Sequence, residues 1–205
     1  MQCFGPVPLT HAKLPIMKTN TTNKVRIGAG EWRSRIVQFP DADGLRPTPD
    51  RVRATVFNWL GQSLVGKVCL DAFAGSGALG FEAASRGADH VFMCETNALA
   101  LKALRENTTL LQASRCQVVA KDVLVWLKNS PTVFDVVFCD PPFNAGLIEP
   151  FLTAIAKHLA PTGVVYLESG ILYKNLPIIC ENYEVLKSSK AGAVHFGLLR
   201  LKATG

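Results

Sequence analysis

The sequence has no uninterrupted apolar run approaching the roughly 20 residues that span a bilayer. It also lacks a basic flank leading into an apolar core at its N-terminus, so no secretory leader is expected. Its six cysteines, Cys3, Cys69, Cys94, Cys116, Cys139 and Cys180, contain no C-x-x-C pair, and no histidine lies at zinc-site spacing from them. No metal site is therefore expected. Cys69, Cys94, Cys116 and Cys139 sit in or beside apolar strand candidates and read as reduced core thiols, which points to a reducing, cytoplasmic setting. No repeat of 20–50 residues is visible, which argues against a solenoid or propeller.

What is present is a chain of 205 residues, 48% of them hydrophobic, enough for one domain with a small N-terminal addition. The net charge is +6, and it is unevenly placed. Residues 1–60 hold nine Lys/Arg against four acids, leaving only +1 for the remaining 145 residues. A basic end on a near-neutral body fits an electrostatic footprint for a polyanion. A solvated basic surface with no partner explains the charge equally well.

Residues 1–23 are rich in Pro, Thr and Asn without periodicity and read as a loose tail. Residues 24–65 form an extension: strands over Lys24–Ile27 and Arg35–Phe39 around a Gly28-Ala29-Gly30 turn, then a helix from about Asp50 to Leu60. Thr48 or Asp50 is the expected cap, with Val52, Val56 and Trp59 as the apolar stripe and Gly61 as the stop. From residue 66 to 205, strand and helix candidates alternate. The strands are Val68–Phe73, His90–Glu95, Gln117–Ala120, Phe134–Cys139 and Gly163–Leu167. The helices are Ala78–Arg86, Ala98–Gln112, Val123–Lys128 and Leu147–Leu159. Most of these strands are continuous apolar runs, as when both faces are covered. The expected fold is α/β: a Rossmann-like, doubly wound, mostly parallel seven-stranded sheet. One strand runs antiparallel, from a C-terminal hairpin of Tyr183–Ser188 and Val194–Lys202.

Asp71-Ala72-Phe73-Ala74-Gly75-Ser76-Gly77-Ala78-Leu79-Gly80 follows the first of these strands and opens a helix. Gly75, Gly77 and Gly80 satisfy G-x-G-x-x-G in a β–α context. Glu95 ends the next strand, where a carboxylate can hold ribose hydroxyls. A tight turn with glycines chosen only for packing is the bland alternative. An NAD-type diphosphate over the helix start would meet the like charge of Asp71. S-adenosylmethionine (SAM) carries an ammonium and a sulfonium but no phosphate, and Asp71 attracts them. Asp122, after the third strand, is an acceptor for an adenine amino group with Val123 flanking the ring, or an ordinary helix cap. Phe73 and Ser76 complete the candidate cofactor set.

Asp140-Pro141-Pro142-Phe143 follows the apolar strand Phe134–Cys139. Neither proline can continue a central strand, so the segment is a stiff loop at the sheet's carboxyl end, where open α/β sheets bind ligands. An exocyclic amino group on a base is a poor nucleophile, because its lone pair is delocalised into the ring. Acceptors aimed at its hydrogens favour a more pyramidal, attacking nitrogen. The Asp140 carboxylate and the Pro141 carbonyl are such acceptors, and Phe143 can stack on an extruded base, by about 1–3 kcal/mol. In-line methyl transfer would then rest on positioning and electrostatics.

With these segments the chain resembles the class I SAM-dependent methyltransferases, and more closely the RsmD family of bacterial 16S rRNA (guanine(966)-N(2))-methyltransferases. The resemblance covers residues 24–202. Arg26-Ile27-Gly28-Ala29-Gly30-Glu31-Trp32-Arg33-Ser34-Arg35 resembles the family's N-terminal strand–turn, and Leu45-Arg46-Pro47-Thr48-Pro49-Asp50-Arg51-Val52-Arg53 with Phe57-Asn58-Trp59-Leu60 its R-P-T helix. Asp71–Gly80 and Asp140–Phe143 are shared more widely among amino methyltransferases. The resemblance implies that Asp71, Gly75, Gly77, Glu95 and Asp122 hold SAM and that Asp140, Pro141, Pro142 and Phe143 hold the target guanine. It implies that Arg33, Arg35, Arg46 and Arg51 face RNA, in an assembled or partly assembled small ribosomal subunit. A monomer is expected. Asn144-Ala145 stand where members carry basic residues, and Ser34 where glycine is common. The rivals are an adenine-N6 or other amino methyltransferase, an NAD-linked oxidoreductase, and a non-catalytic RNA-binding protein on a relic fold.

Overall fold

The computed structural model describes residues 22–41, 47–142 and 146–203. An antiparallel pair, β1 (Thr22–Arg26) and β2 (Ile36–Pro40), leads to helix α1 (Asp50–Trp59). Then come β3 (Val68–Asp71), α2 (Ala78–Ser85), β4 (His90–Cys94), α3 (Ala98–Leu110), β5 (Cys116–Val119), α4 (Val123–Leu127), β6 (Phe134–Cys139) and α5 (Ile148–Ile155). The chain ends with β7 (Leu159–Ser169), α6 (Pro177–Asn182), β8 (Tyr183–Ala191) and β9 (Val194–Leu201). The large sheet has seven strands in the order β5-β4-β3-β6-β7-β9-β8. The first five are parallel, and β9 lies antiparallel between β7 and β8.

Side-chain alternation sorts each strand's residues onto two covered faces. Cys69, Val136, Phe138 and Tyr166 join a core with α1, α2, α3 and the N-terminal hairpin. Leu70, Val137, Cys139 and Val165 join a second core with α4 and α5. A parallel strand buried on both sides needs apolar residues throughout, hence the continuous runs. Cys69, Cys94, Cys116 and Cys139 are buried free thiols within these strands. No helix among the described residues is long and apolar enough to cross a membrane.

The hairpin is built onto α2 and α3. Glu82, buried in α2, accepts hydrogen bonds from Gly28 N (2.7 Å) and Ala29 N (3.1 Å) and pairs with Arg86 at 2.7 Å. Ser85 Oγ accepts from Trp32 N and donates to the Ala29 carbonyl. Gly30 lies at φ +82°, and a Cβ there would stand 1.8 Å from the Ser85 carbonyl, so only glycine allows this approach. On α3, Asn107 exchanges two hydrogen bonds with the backbone of Gln38 at the edge of β2. Ser34 sits at φ +67°, a left-handed conformation that favours glycine.

Several expectations need correction. Neither Thr48 nor Asp50 caps α1: Pro49 occupies the cap position and no side chain bonds there, because its fixed φ pre-forms the helix entry. The buried stripe of α1 is Val52, Arg53, Val56 and Phe57, while Trp59 is half-buried and stacks on Phe196. β1 begins at Thr22, inside the expected tail. β7 begins at Leu159 rather than Gly163, because a register irregularity between Phe134 and Val136 admits extra residues. The hairpin strands run on to Ala191 and from Val194, with Gly192 at φ +60° turning the chain. Helix α6 and a 3-10 turn at Tyr173–Asn175 stand where the sequence pattern points to no element.

Glu82→Ala strands two backbone donors and the buried Arg86 guanidinium, so urea unfolding should show a loss of about 3–5 kcal/mol. The exposed Lys102–Glu106 pair is the control: Glu106→Ala should leave the midpoint nearly unchanged.

Candidate active site

Five adjacent strands each deliver a carboxylate to the same edge of the sheet. In spatial order they are Asp122 after β5, Glu95 after β4, Asp71 ending β3, Asp140 after β6 and Glu168 near the end of β7. The register fixes this row, since Asp71 lies opposite Phe138 and Met93, and Cys139 lies opposite Leu167. Every one of these acids accepts a hydrogen bond from the chain itself. The Asp122 Oδ1 atom caps α4 by accepting from Val125 N at 3.0 Å. Glu95 accepts from Gly75 N at 2.8 Å and from Thr96 N and Asn97 N, each at 2.7 Å. Asp71 accepts from Gly80 N at 2.9 Å. The Thr48 hydroxyl donates to Asp140 at 3.5 Å, and the Tyr166 hydroxyl to Glu168 at 2.6 Å.

The glycine loop is shaped by backbone conformation. Gly75 lies at φ +50° and Gly77 at φ +76°. A Cβ on Gly77 would stand 2.6 Å from both Leu104 and Phe81, and one on Gly80 2.8 Å from the Met93 sulfur. Gly80 packs helix against strand, and its N–H ties the helix start to Asp71. Ser76 is buried, its hydroxyl accepting from Ala78 N. Phe73 is half-buried, edge-on to Phe151 at 5.6 Å between centroids. Val123 is buried at the start of α4.

Asp71 is 3% exposed. Burial pushes its carboxyl up to about 7; the Gly80 N–H works against that rise and Glu95 adds to it. Asp140 is held well above the usual carboxylate range by burial, then by the charges of Glu168 and Asp71, with the Thr48 hydroxyl opposing. Glu168 is raised by burial, opposed by the hydroxyls of Tyr166 and Thr48. An edge crowded with reluctant anions repels phosphate and favours a cation. A carboxylate has about four acceptor positions. Glu95 uses three on the backbone, which leaves one acceptor position open.

The structure brings Asp71, Phe73, Gly75, Ser76, Gly77, Glu95, Asp122, Val123 and Asp140 to one edge. Pro141 is buried and Pro142 exposed. Phe143 and Arg46, with Asn144 and Ala145, lie outside the described residues. Arg33, Arg35 and Arg51 are exposed on the N-terminal extension, with Arg35 donating to the Leu110 carbonyl. Sequence reasoning missed Thr48 as a site residue, and Glu168 and Tyr166 altogether. Glu168 carried the signal that picked out Glu95, an acid closing an apolar strand. Among the described residues no cluster of three or more His, Cys, Asp or Glu could hold a metal ion.

The donor set fits SAM: carboxylates for two cationic centres, and a glycine cradle with no basic residue for a diphosphate. The solved structure of yhhF from Escherichia coli superposes with a TM-score of 0.78 at 36% identity, covering 89% of this chain and all of that one. The Thermus thermophilus 16S rRNA N2 G1207 methyltransferase RsmC, solved with AdoMet and guanosine, shares the fold. Its TM-score is 0.71 at 23% identity, over 93% of this chain and 52% of that one. Sheet order and site together define a SAM-dependent methyltransferase. The family described as conserved hypothetical protein 95 matches residues 25–200. Ribosomal RNA small subunit methyltransferase D of Escherichia coli K12 is 38% identical over 186 residues, covering 90% of this chain and 93% of that protein. The chain belongs to this family, the RsmD methyltransferases.

The raised carboxyl of Asp71 has a definite sign. Its protonated form is favoured in the folded state, so its contribution to stability is complete below about pH 4 and is lost as pH rises toward about 7. Asp71→Asn should remove that component, giving a variant whose stability relative to wild type improves from pH 5 to pH 8 in urea titrations. Unchanged relative stability across that range would show that Asp71 is not held protonated.

Proposed function

We propose that this chain transfers a methyl group from SAM to the exocyclic N2 amino group of a guanine in 16S ribosomal RNA, guanine 966. The observation that carries this reading is the placement of Asp140. It stands at the carboxyl edge beside the acid of the glycine loop, half-buried and followed by buried Pro141. The substrate class is that of the E. coli relative, a small-subunit ribosomal RNA methyltransferase.

In this reading Asp71, Phe73, Gly75, Ser76, Gly77, Glu95, Asp122 and Val123 hold the donor. Bound SAM supplies an activated methyl group on sulfur. Asp71 attracts the cationic end, Glu95 accepts from the ribose, and Asp122 faces the adenine beside Val123. Asp140 and the Pro141 carbonyl accept from the amino hydrogens, Pro142 stiffens the loop, and Phe143 stacks on the base. Ionised Asp140 is the stronger acceptor and can take up the proton that the methylated nitrogen sheds, and its raised affinity for a proton favours both. Arg33, Arg35, Arg46 and Arg51 meet RNA phosphates. The protein then acts as a monomer in the cytoplasm, on the small subunit or an assembly intermediate.

Asp140→Ala should leave SAM binding by calorimetry within a few-fold of wild type and reduce methyl transfer to 16S rRNA by at least about 100-fold, the scale of general acid–base contributions. Nucleoside analysis of the product should show N2-methylguanosine. N6-methyladenosine in its place would reject the guanine assignment, and undiminished turnover by Asp140→Ala would reject the role of Asp140.

Arg33→Ala combined with Arg51→Ala should weaken RNA binding. The slope of log affinity against log salt should flatten by about 0.7 for each phosphate that the protein no longer neutralises. An unchanged slope would remove both arginines from the footprint.

A further inference from the structure

Glu168 takes no part in the roles assigned above, yet it is a buried acid beside the reacting edge. It lies on β7 one position past Leu167, which pairs with Cys139, and Asp140 lies one position past Cys139, just beyond β6. It is 6% exposed. The Thr48 hydroxyl donates to Asp140 Oδ2 at 3.5 Å, and its dipole also favours the anion of Glu168. A hydroxyl has one proton to give. It can serve one carboxylate as donor only while the other holds a proton or goes without. Tyr166 donates to Glu168 Oε1 at 2.6 Å. The other groups facing this pair are Asp71 across β3, Cys139 on β6 and Tyr173. The Arg53 guanidinium, held at the Thr48 carbonyl, is also engaged by the Arg26 carbonyl and by Asp50.

We propose that Glu168 is the proton partner of Asp140: the two carboxylates share one proton across the Thr48 hydroxyl, and this sharing sets the pH at which Asp140 accepts from the target amino group. Adjacent buried acids cannot both be ionised cheaply, the rule seen in paired-carboxylate sites. Glu168 has a hydroxyl donor at 2.6 Å and Asp140 only one at 3.5 Å, so Glu168 is the better-stabilised anion and the proton rests on Asp140. When an amino group engages Asp140, the proton crosses by way of Thr48, which accepts from Asp140 and donates to Glu168. As the nitrogen–carbon bond forms, the sulfur–carbon bond breaks and its electron pair stays with sulfur. The methylated nitrogen then releases one of its two protons to Asp140 and keeps the electrons of that bond as its lone pair. The carboxylates now hold two protons, and one returns to solvent. Glu168 and Tyr166 are positioning residues in this scheme, acting through Asp140. The scheme rests on the amino-methylation reading.

The test is the titration of the Asp140 side-chain carboxyl by carbon-13 NMR in the full-length protein, assigned by its loss in Asp140→Asn. In Glu168→Gln the midpoint should fall by about one pH unit or more, because a neighbouring negative charge is gone. Tyr166→Phe makes an anionic Glu168 less favourable, so the shared proton shifts toward Glu168 and the Asp140 midpoint should fall as well, by less. This variant also serves if Glu168→Gln fails to fold. The acid limb of kcat/KM should move to lower pH in parallel, since the active form is the Asp140 carboxylate. A merely structural Glu168 would lower kcat with the limb in place. An Asp140 midpoint unmoved in the variants would overturn the proposal, as would a moved midpoint with a fixed limb. Wild-type protein that binds SAM and shows the midpoint shift, yet methylates no amino group, would count against the methylation reading and leave the carboxylate pair standing.

Discussion

Repulsion among like charges at one sheet edge is the constraint around which this molecule is arranged. Neighbouring strands lie about 4.8 Å apart, and five consecutive strands each end near an acid. Such a row is stable only where each charge is answered. Backbone N–H groups answer Asp122, Glu95 and Asp71, and hydroxyls answer Asp140 and Glu168. Burial leaves the central acids part-way to protonation. The remaining demand is for positive charge, which a sulfonium and an ammonium supply and a diphosphate does not. Cofactor choice follows from electrostatics at the edge more than from the glycines, which many nucleotide sites share.

The same constraint gives the N-terminal extension a second purpose. Its hairpin is fastened to α2 through Glu82 and Ser85 and to α3 through Asn107. Its R-P-T segment then lays Thr48 against Asp140. The exposed arginines and the hydroxyl at the reacting edge therefore belong to one continuous piece of chain. Cation–π contact of Arg86 over Phe57, at 4.6 Å, ties α1 to the same anchor. The part of the chain that carries the positive surface thus also completes the site.

Much of this was open to reading from residues. The five parallel strands were identifiable because burial on both faces demands unbroken apolar runs, and β6 matched its expected span, Phe134–Cys139, residue for residue. The glycine loop was legible because positive φ and close packing leave little choice but glycine at 75 and 77. Segment 170–182 was not legible: α6 is six residues long, too short for periodicity to show, and begins at Pro177. The cap of α1 was misread because Thr48 is the usual capping type, and local preference gave way to a tertiary partner.

The sequence alone determined most of the elements, the sheet's direction, the glycine cradle and the acids at β3, β4 and β6. These are properties of neighbours along the chain, set by backbone sterics and by the period of apolar residues. Tertiary structure alone decided that Glu168 stands beside Asp140, that Thr48 donates to Asp140 from 92 positions away in sequence, and that Glu82 is an anchor rather than a surface charge. Those outcomes depend on strand order and register, which bring distant residues within a hydrogen bond of each other and which no local pattern encodes.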